Sequence, residues 1–102
     1  MKGTVTLIVP CYNEEESLPI FYHAVCDVAQ TLPDYQMTFL LINDGSKDNT
    51  LQIMRDLAAK DERVKYLSFS RNFGKEAAMY AGFCNAEGDY VAVMDADMQD
   101  PP

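Results

Sequence analysis

The sequence is short of positive charge. Lysine and arginine together number 8 against 16 acidic residues, a net charge of -8. Such a chain has no general basic field with which to grip nucleic acid or an anionic lipid surface. A phosphate ligand would need a cation to bridge it to the protein. Cysteine is scarce as well: Cys11, Cys26 and Cys84 are odd in number and contain no CxxC pair. That pattern points to a reducing compartment and away from a disulfide framework or a zinc site. The three read instead as small core hydrophobes. No apolar run approaches the roughly 18 residues that span a bilayer. The Met1-Lys2-Gly3 start leads straight into a strand-like segment, so no signal peptide is expected. The phosphate-loop pattern G-x-x-x-x-G-K-[ST] is missing, and the one histidine, His23, falls mid-helix as a structural or solvated residue. With five Gly and five Pro, collagenous and low-complexity classes are excluded. What remains, 102 residues at 48% apolar, suits one soluble globular domain with its own core.

Four segments rich in β-branched and aliphatic residues stand out, at 4–9, 37–42, 64–69 and 90–94. The second, Thr38-Phe39-Leu40-Leu41-Ile42, is nearly continuous in its apolarity, as a strand covered on both faces should be. Three helical patterns lie between them. In the first, Leu18, Phe21, Tyr22, Val25, Cys26 and Ala29 share one face. Asn13 with Glu16 resembles a capping box, Ser17 is an alternative cap, and Pro19 sits in the first turn. The second carries Leu51, Met54, Leu57 and Ala58, with Asp48 as candidate cap; the third runs from about 75 to 86 behind Gly74. Strand starts at 4, 37, 64 and 90 give the spacing of βαβ units. The predicted fold is therefore α/β, with a doubly wound, mainly parallel, right-handed sheet, β-α-β-α-β-α-β. The chain stops at Asp100-Pro101-Pro102, just after a strand, which suggests the first part of a longer protein.

In an open parallel sheet, ligands bind beyond the carboxyl ends of the strands. Those four ends read Pro10-Cys11-Tyr12-Asn13-Glu14, Asn43-Asp44-Gly45-Ser46, Ser70-Arg71-Asn72 and Asp95-Ala96-Asp97-Met98-Gln99. Every unusual polar cluster in the chain falls on this edge. Asp95 and Asp97, one residue apart, repel each other unless a cation is shared between them. Hard oxygen donors suit Mg²⁺ or Mn²⁺, ions that typically hold a diphosphate too, and Gln99 adds a third oxygen at the same spacing. Solvated loop acids are the plainer alternative. Asp44 precedes a glycine that permits a tight turn, and its carboxylate could accept from a base N–H or a ribose hydroxyl; otherwise it merely caps the second helix. A calcium loop is excluded, because Asn49 and Arg55 stand where Gly and Glu are required. Tyr12 could stack on a base and Glu14 could bind ribose or base, or both could serve the entry of the first helix. Arg71 and Lys75 read as the only basic residues near the edge, either one able to neutralise a phosphate or to stand as an ordinary surface charge.

These residues together resemble the nucleotide-binding part of a glycosyltransferase family 2 enzyme with the GT-A fold. The landmarks are Val9-Pro10-Cys11-Tyr12-Asn13-Glu14-Glu15, the Asn43-Asp44-Gly45-Ser46 turn and the Asp95-Ala96-Asp97 triplet. The strings running from Ser70 through Arg71-Asn72-Phe73-Gly74-Lys75 to Ala78, and from Asp95 to Pro102, are similar to bacterial polyisoprenyl-phosphate glycosyltransferases, relatives of dolichol-phosphate mannose synthase. The resemblance implies that Pro10, Tyr12, Glu14 and Asp44 hold the nucleoside with backbone help near Ile42, and that Arg71 is a further nucleotide contact. It implies that Asp95, Ala96, Asp97 and Gln99 hold ribose, diphosphate and a Mg²⁺ or Mn²⁺ ion, Asp95 and Asp97 being the catalytic pair.

The implied reaction is a single inverting displacement that moves a sugar from a nucleotide-sugar, by the resemblance a UDP-sugar, to a polyisoprenyl phosphate. A saccharide hydroxyl acceptor, or a nucleotide-sugar-binding module without catalysis, are the alternatives. A phosphohydrolase built on Asp-x-Asp is disfavoured, since such enzymes place that motif after the first strand and here it follows the fourth. Residues 1–102 would be the nucleotide-sugar-binding part, without the acceptor half or any membrane helices. The full-length protein would act at the cytoplasmic side of the cell membrane, the present stretch being soluble and able to form homo-oligomers.

Overall fold

The structure, a computed structural model, describes residues 3–96. Its elements are β1 (Gly3–Cys11), α1 (Ser17–Gln30), β2 (Tyr35–Asn43), α2 (Thr50–Lys60), β3 (Val64–Ser68), α3 (Lys75–Asn85) and β4 (Tyr90–Val93). All seven expected elements are present. The strands form one parallel sheet in the order β3-β2-β1-β4.

Alternation along the strands divides the core between two faces. Leu7, Val9, Phe39 and Leu41 turn towards α1 and α2, where they meet Leu18, Phe21, Val25, Met54 and Leu57. Ile8, Leu40 and Ile42 turn the other way and meet Ala78 of α3. Helices thus cover both faces, and β1 and β2 are apolar almost throughout because neither face is wet. Complete burial of Phe21, Phe39 and Met54 contributes about 1.5–3 kcal/mol each. On the α3 face the helix lies unusually close to the sheet. A Cβ at Gly82 would stand 2.4 Å from Ile8 Cγ2, so only glycine permits that approach.

The helix caps differ from expectation. Neither Asn13 nor Ser17 caps α1: the cap position is Glu16, with no side-chain hydrogen bond. Asn13 instead adopts a left-handed backbone (φ 53°), which asparagine tolerates, and spends its side chain on another loop. Asn49, not Asp48, occupies the cap position of α2, yet Asp48 accepts from the Thr50 amide and hydroxyl and so does a cap's work from one residue further out. The cysteines also divide: Cys11 is buried as expected, whereas Cys26 is half-buried and Cys84 is exposed.

β1 lies between β2 and β4, so the chain's path reverses direction across the sheet at the β1/β4 pair. This is the switch point at which the loops after neighbouring strands diverge and leave a crevice. A second, apolar groove of about 380 Å³ lies at the other end of the sheet, between α1 and Val5, Tyr35 and Tyr90. It offers few polar groups to orient a nucleotide.

Candidate functional site at the β1/β4 switch point

A cleft of about 390 Å³ opens at the carboxyl edge of the sheet, lined by Pro10, Cys11, Tyr12, Glu14, Asp44, Asn72, Gly74, Lys75 and Asp95. Four separate loops contribute to it, as the strand-end reading required.

The loops after β1 and β2 are fastened to each other. The Asn13 amide donates to Ser46 Oγ (2.9 Å), and Asn13 Oδ1 accepts from the Lys47 amide (2.8 Å). The Glu14 amide donates to Thr50 Oγ1 (2.8 Å), and the Glu15 amide reaches Asp48 Oδ2 (3.3 Å). Thr50 is fully buried and donates in turn to Asp48. Burial alone would raise the Asp48 carboxyl, but the Thr50 hydroxyl and the Thr50 and Glu15 amides outweigh it and hold it below the ordinary carboxylate range. Asn43 closes the turn from beneath: its Oδ1 accepts from the Ser46 amide (3.0 Å) and its Nδ2 donates to Ser68 Oγ (3.0 Å).

Asp44 reaches in the opposite direction. Only 3% exposed, it accepts from the Phe73 amide at Oδ1 (2.8 Å) and from the Gly74 amide at Oδ2 (3.0 Å). Asn72 Nδ2 adds bonds to Asp44 Oδ2 (3.3 Å) and to its carbonyl (3.2 Å). The carboxylate therefore caps the approach to α3 rather than α2, and most of its acceptor capacity is used within the protein. Gly45 makes this possible. It has φ +71°, and a Cβ there would fall 2.2 Å from the Arg71 carbonyl carbon.

At the end of β4, Asp95 Oδ1 lies 2.6 Å from Lys75 Nζ, at the first residue of α3. Beneath the cleft, burial and then the Glu14 carboxylate push the Cys11 thiol well above its usual range, so it serves as an apolar filler.

Of the residues expected at the site, Pro10, Tyr12, Glu14, Asp44 and Asp95 meet in the cleft. Tyr12 is 42% exposed, so its ring is available to a ligand. Ile42 and Ala96 are buried in the two core clusters, so only their backbone could touch a ligand. Arg71 is exposed and does not line the cleft; its guanidinium lies over the Phe73 ring at 5.2 Å. Asp97 and Gln99 lie outside the described residues. Lys47 also stands on this edge, contrary to the expectation that Arg71 and Lys75 are its only basic residues. Two features escaped sequence reasoning: the grip of Asp44 on residues 72–74 and the Thr50 clip. An acid before a glycine at the end of an apolar strand, and a threonine opening an otherwise apolar helix face, were the available signals.

The family model described as "Glycosyl transferase family 2" matches residues 6–102. A curated relative, the bactoprenol glucosyl transferase of Shigella phage SfV, is 50% identical over 97 residues, which cover 95% of this chain and 31% of that protein. Among solved structures, S. aureus TarS 1-349 in complex with UDP superposes with a TM-score of 0.77 at 26% identity, over 92% of this chain and 27% of that one. The mannosyltransferase PcManGT from Pyrobaculum calidifontis, in complex with GDP-Man and Mn²⁺, shares the fold at a TM-score of 0.74 and 24% identity, over 95% of this chain and 28% of that one. The chain thus spans about a third of the length of the proteins it matches. From its first strand to its last residue, it belongs to glycosyl transferase family 2.

Proposed function

We propose that this chain is the donor-binding part of an inverting glycosyltransferase that moves a sugar from a UDP-sugar to a polyisoprenyl phosphate. The observation that carries the reading is the convergence of Tyr12, Glu14, Asp44, Lys75 and Asp95 on one cleft at the switch point. The lipid acceptor is supported by the bactoprenol name of a relative at 50% identity. UDP is supported by the nucleotide bound in TarS. The acceptor half and any membrane helices belong, on this reading, to the remainder of a longer protein. No helix among the described residues is long and apolar enough to cross a membrane.

Tyr12 offers a ring face for the base. Glu14 and the remaining acceptor capacity of Asp44 can take a base N–H or a ribose hydroxyl. Family 2 enzymes generally depend on a divalent cation. Asp95 fits one, for its carboxylate at the strand end already holds a cationic group at 2.6 Å. Asp95, with Asp97 and Gln99, would hold Mg²⁺ or Mn²⁺, which when bound stabilises charge on the departing diphosphate. An acceptor phosphate oxygen attacks the anomeric carbon as its bond to the nucleoside diphosphate breaks, with inversion. A lipid phosphate, with a second pKa of about 6, is already largely anionic at neutral pH. A strong general base is then dispensable.

The isolated 102 residues span about a third of the matched proteins, and that favours a second reading for them alone: binding without transfer. Labelled UDP-sugar incubated with undecaprenyl phosphate decides both. The full-length protein should move label into the lipid phase, while residues 1–102 bind UDP and transfer nothing. Transfer to a saccharide hydroxyl in place of the lipid phosphate would overturn the acceptor assignment.

A further inference from the structure

Among the described residues, the charged lining of the cleft is three carboxylates, Glu14, Asp44 and Asp95, with one ammonium, Lys75. Their counter-charges differ in kind. Asp44 is met by backbone amides of Phe73 and Gly74, which cannot move without the loop. Asp95 is met by Lys75 Nζ at 2.6 Å, the end of a flexible side chain. The lysine is 57% exposed and the aspartate 19%, so the ammonium can swing towards solvent while the carboxylate stays at the strand end. Arg71 cannot substitute, being laid over Phe73 outside the lining.

A dianionic diphosphate entering this cleft meets a lining with more negative than positive charge. A divalent cation entering alone meets Asp95 already paired. The lining repels the diphosphate and attracts the cation, but the cation must compete with Lys75 for Asp95, and each ligand lowers the other's obstacle.

We propose that Lys75 is an exchangeable counter-ion. In the empty cleft it neutralises Asp95 and competes with the divalent cation for that carboxylate. When cation and nucleotide enter together, Lys75 gives up Asp95 and pairs with a diphosphate oxygen. Lys75 thereby makes cation and nucleotide binding mutually dependent, beyond chelation of the ion by the nucleotide itself. The inference rests on the reading of Asp95 as a cation ligand given above.

The test is Mn²⁺ binding without nucleotide, read from the electron-paramagnetic-resonance signal of the unbound ion, for wild type, Lys75→Met, Lys75→Arg and Asp95→Asn. A partly exposed ion pair is worth a factor of up to about five, so Lys75→Met should bind nucleotide-free Mn²⁺ about two- to fivefold more tightly than wild type. The same variant should bind UDP in saturating Mn²⁺ more weakly than wild type, and Lys75→Arg should resemble wild type in both. Lys75 is exposed at a helix start, and an unchanged thermal melt verifies that the variants fold. If Lys75→Met leaves nucleotide-free Mn²⁺ affinity unchanged while wild type binds Mn²⁺ and UDP together, the exchange is disproved and the cation reading stands. If Asp95→Asn changes neither Mn²⁺ nor UDP binding, the cation reading fails and the exchange falls with it.

Discussion

The two sides of the cleft are built differently. On one side, the loops after β1 and β2 hold each other through five hydrogen bonds, from Asn13 to Ser46, Lys47 to Asn13, Glu14 to Thr50, Glu15 to Asp48 and Asn49 to Glu15. On the other, residues 72–74 are held by the Asp44 carboxylate, with Asn72 also bonded to the Asp44 carbonyl, and the end of β4 meets α3 through the Asp95–Lys75 ion pair. The first side spreads its bonds over five residue pairs, three with neutral acceptors and two with the Asp48 and Glu15 carboxylates. The second depends on charges, which a ligand can redistribute. On the function proposed above, the densely bonded wall would take the nucleoside and the carboxylate wall the diphosphate and cation.

The strongest way to break this picture is at Gly45, where the two sides touch. Gly45→Ala places a Cβ 2.2 Å from the Arg71 carbonyl carbon and 2.3 Å from the Asn72 nitrogen, at φ +71°. Backbone strain and overpacking should together cost about 3 kcal/mol or more, measured by urea unfolding. A cost below about 1 kcal/mol would mean that the 71–72 segment yields freely.

A matched pair of substitutions then separates the two sides. Asp44→Ala removes the acceptor of the Phe73 and Gly74 amides, and Thr50→Val removes that of the Glu14 amide. Each should cost about 1–3 kcal/mol. Amide exchange should accelerate at 73–74 in the first variant and at 14 in the second, with no crossover. Matching acceleration at both places in either variant would erase the distinction.

Asp61 supplies a control far from the cleft, at the amino end of β3. Bonds from Arg63 (Nη2 at 2.8 Å) and Tyr22 (Oη at 2.6 Å), against an opposing effect of burial, hold its carboxyl far below the ordinary range. A depressed folded-state pKa gives stability that is present above the unfolded value of about 3.9 and is lost as pH falls through the folded one. Asp61→Asn should therefore flatten the loss of stability below about pH 4 and leave UDP affinity at pH 7 unchanged. Urea unfolding across pH 2–7 and a UDP titration check the two halves of that statement.

The smallest effect on stability belongs to Tyr12→Ala. The ring is half in solvent, so the melt should barely move, while UDP binding should weaken by about 1–3 kcal/mol if the ring stacks on the base. Loss of stability without loss of affinity would return Tyr12 to a packing role.

The fold was largely legible because βαβ periodicity is written in apolar spacing. Thr38 to Ile42 read as a doubly covered strand and is one, between α2 and α3 faces. The location of the cleft was legible for a related reason: a parallel sheet sends every strand's carboxyl end to one edge, so Tyr12, Glu14, Asp44 and Asp95 had to gather. Side-chain partners were less legible. Asp44 and Asp48 sit four residues apart in one turn, yet one turns to α3 and the other to α2, a choice made by the +71° backbone at Gly45 and not by residue type. Asn13 carried a capping signal and became a left-handed bridge between loops, since Ser46 and Lys47 lie 33 and 34 residues away along the chain. Such pairings depend on register between strands, which local patterns do not specify.

The central claim is that the switch-point cleft takes a nucleoside diphosphate together with a cation at Asp95. UDP titrated calorimetrically into the chain, with Mn²⁺ and then with the metal removed by chelation, tests it most directly. Mn²⁺ should tighten UDP binding by at least about tenfold, or 1.4 kcal/mol, and Asp95→Asn should abolish that gain while the protein remains folded. The same UDP affinity with and without Mn²⁺, in a wild-type chain that binds UDP, would contradict it.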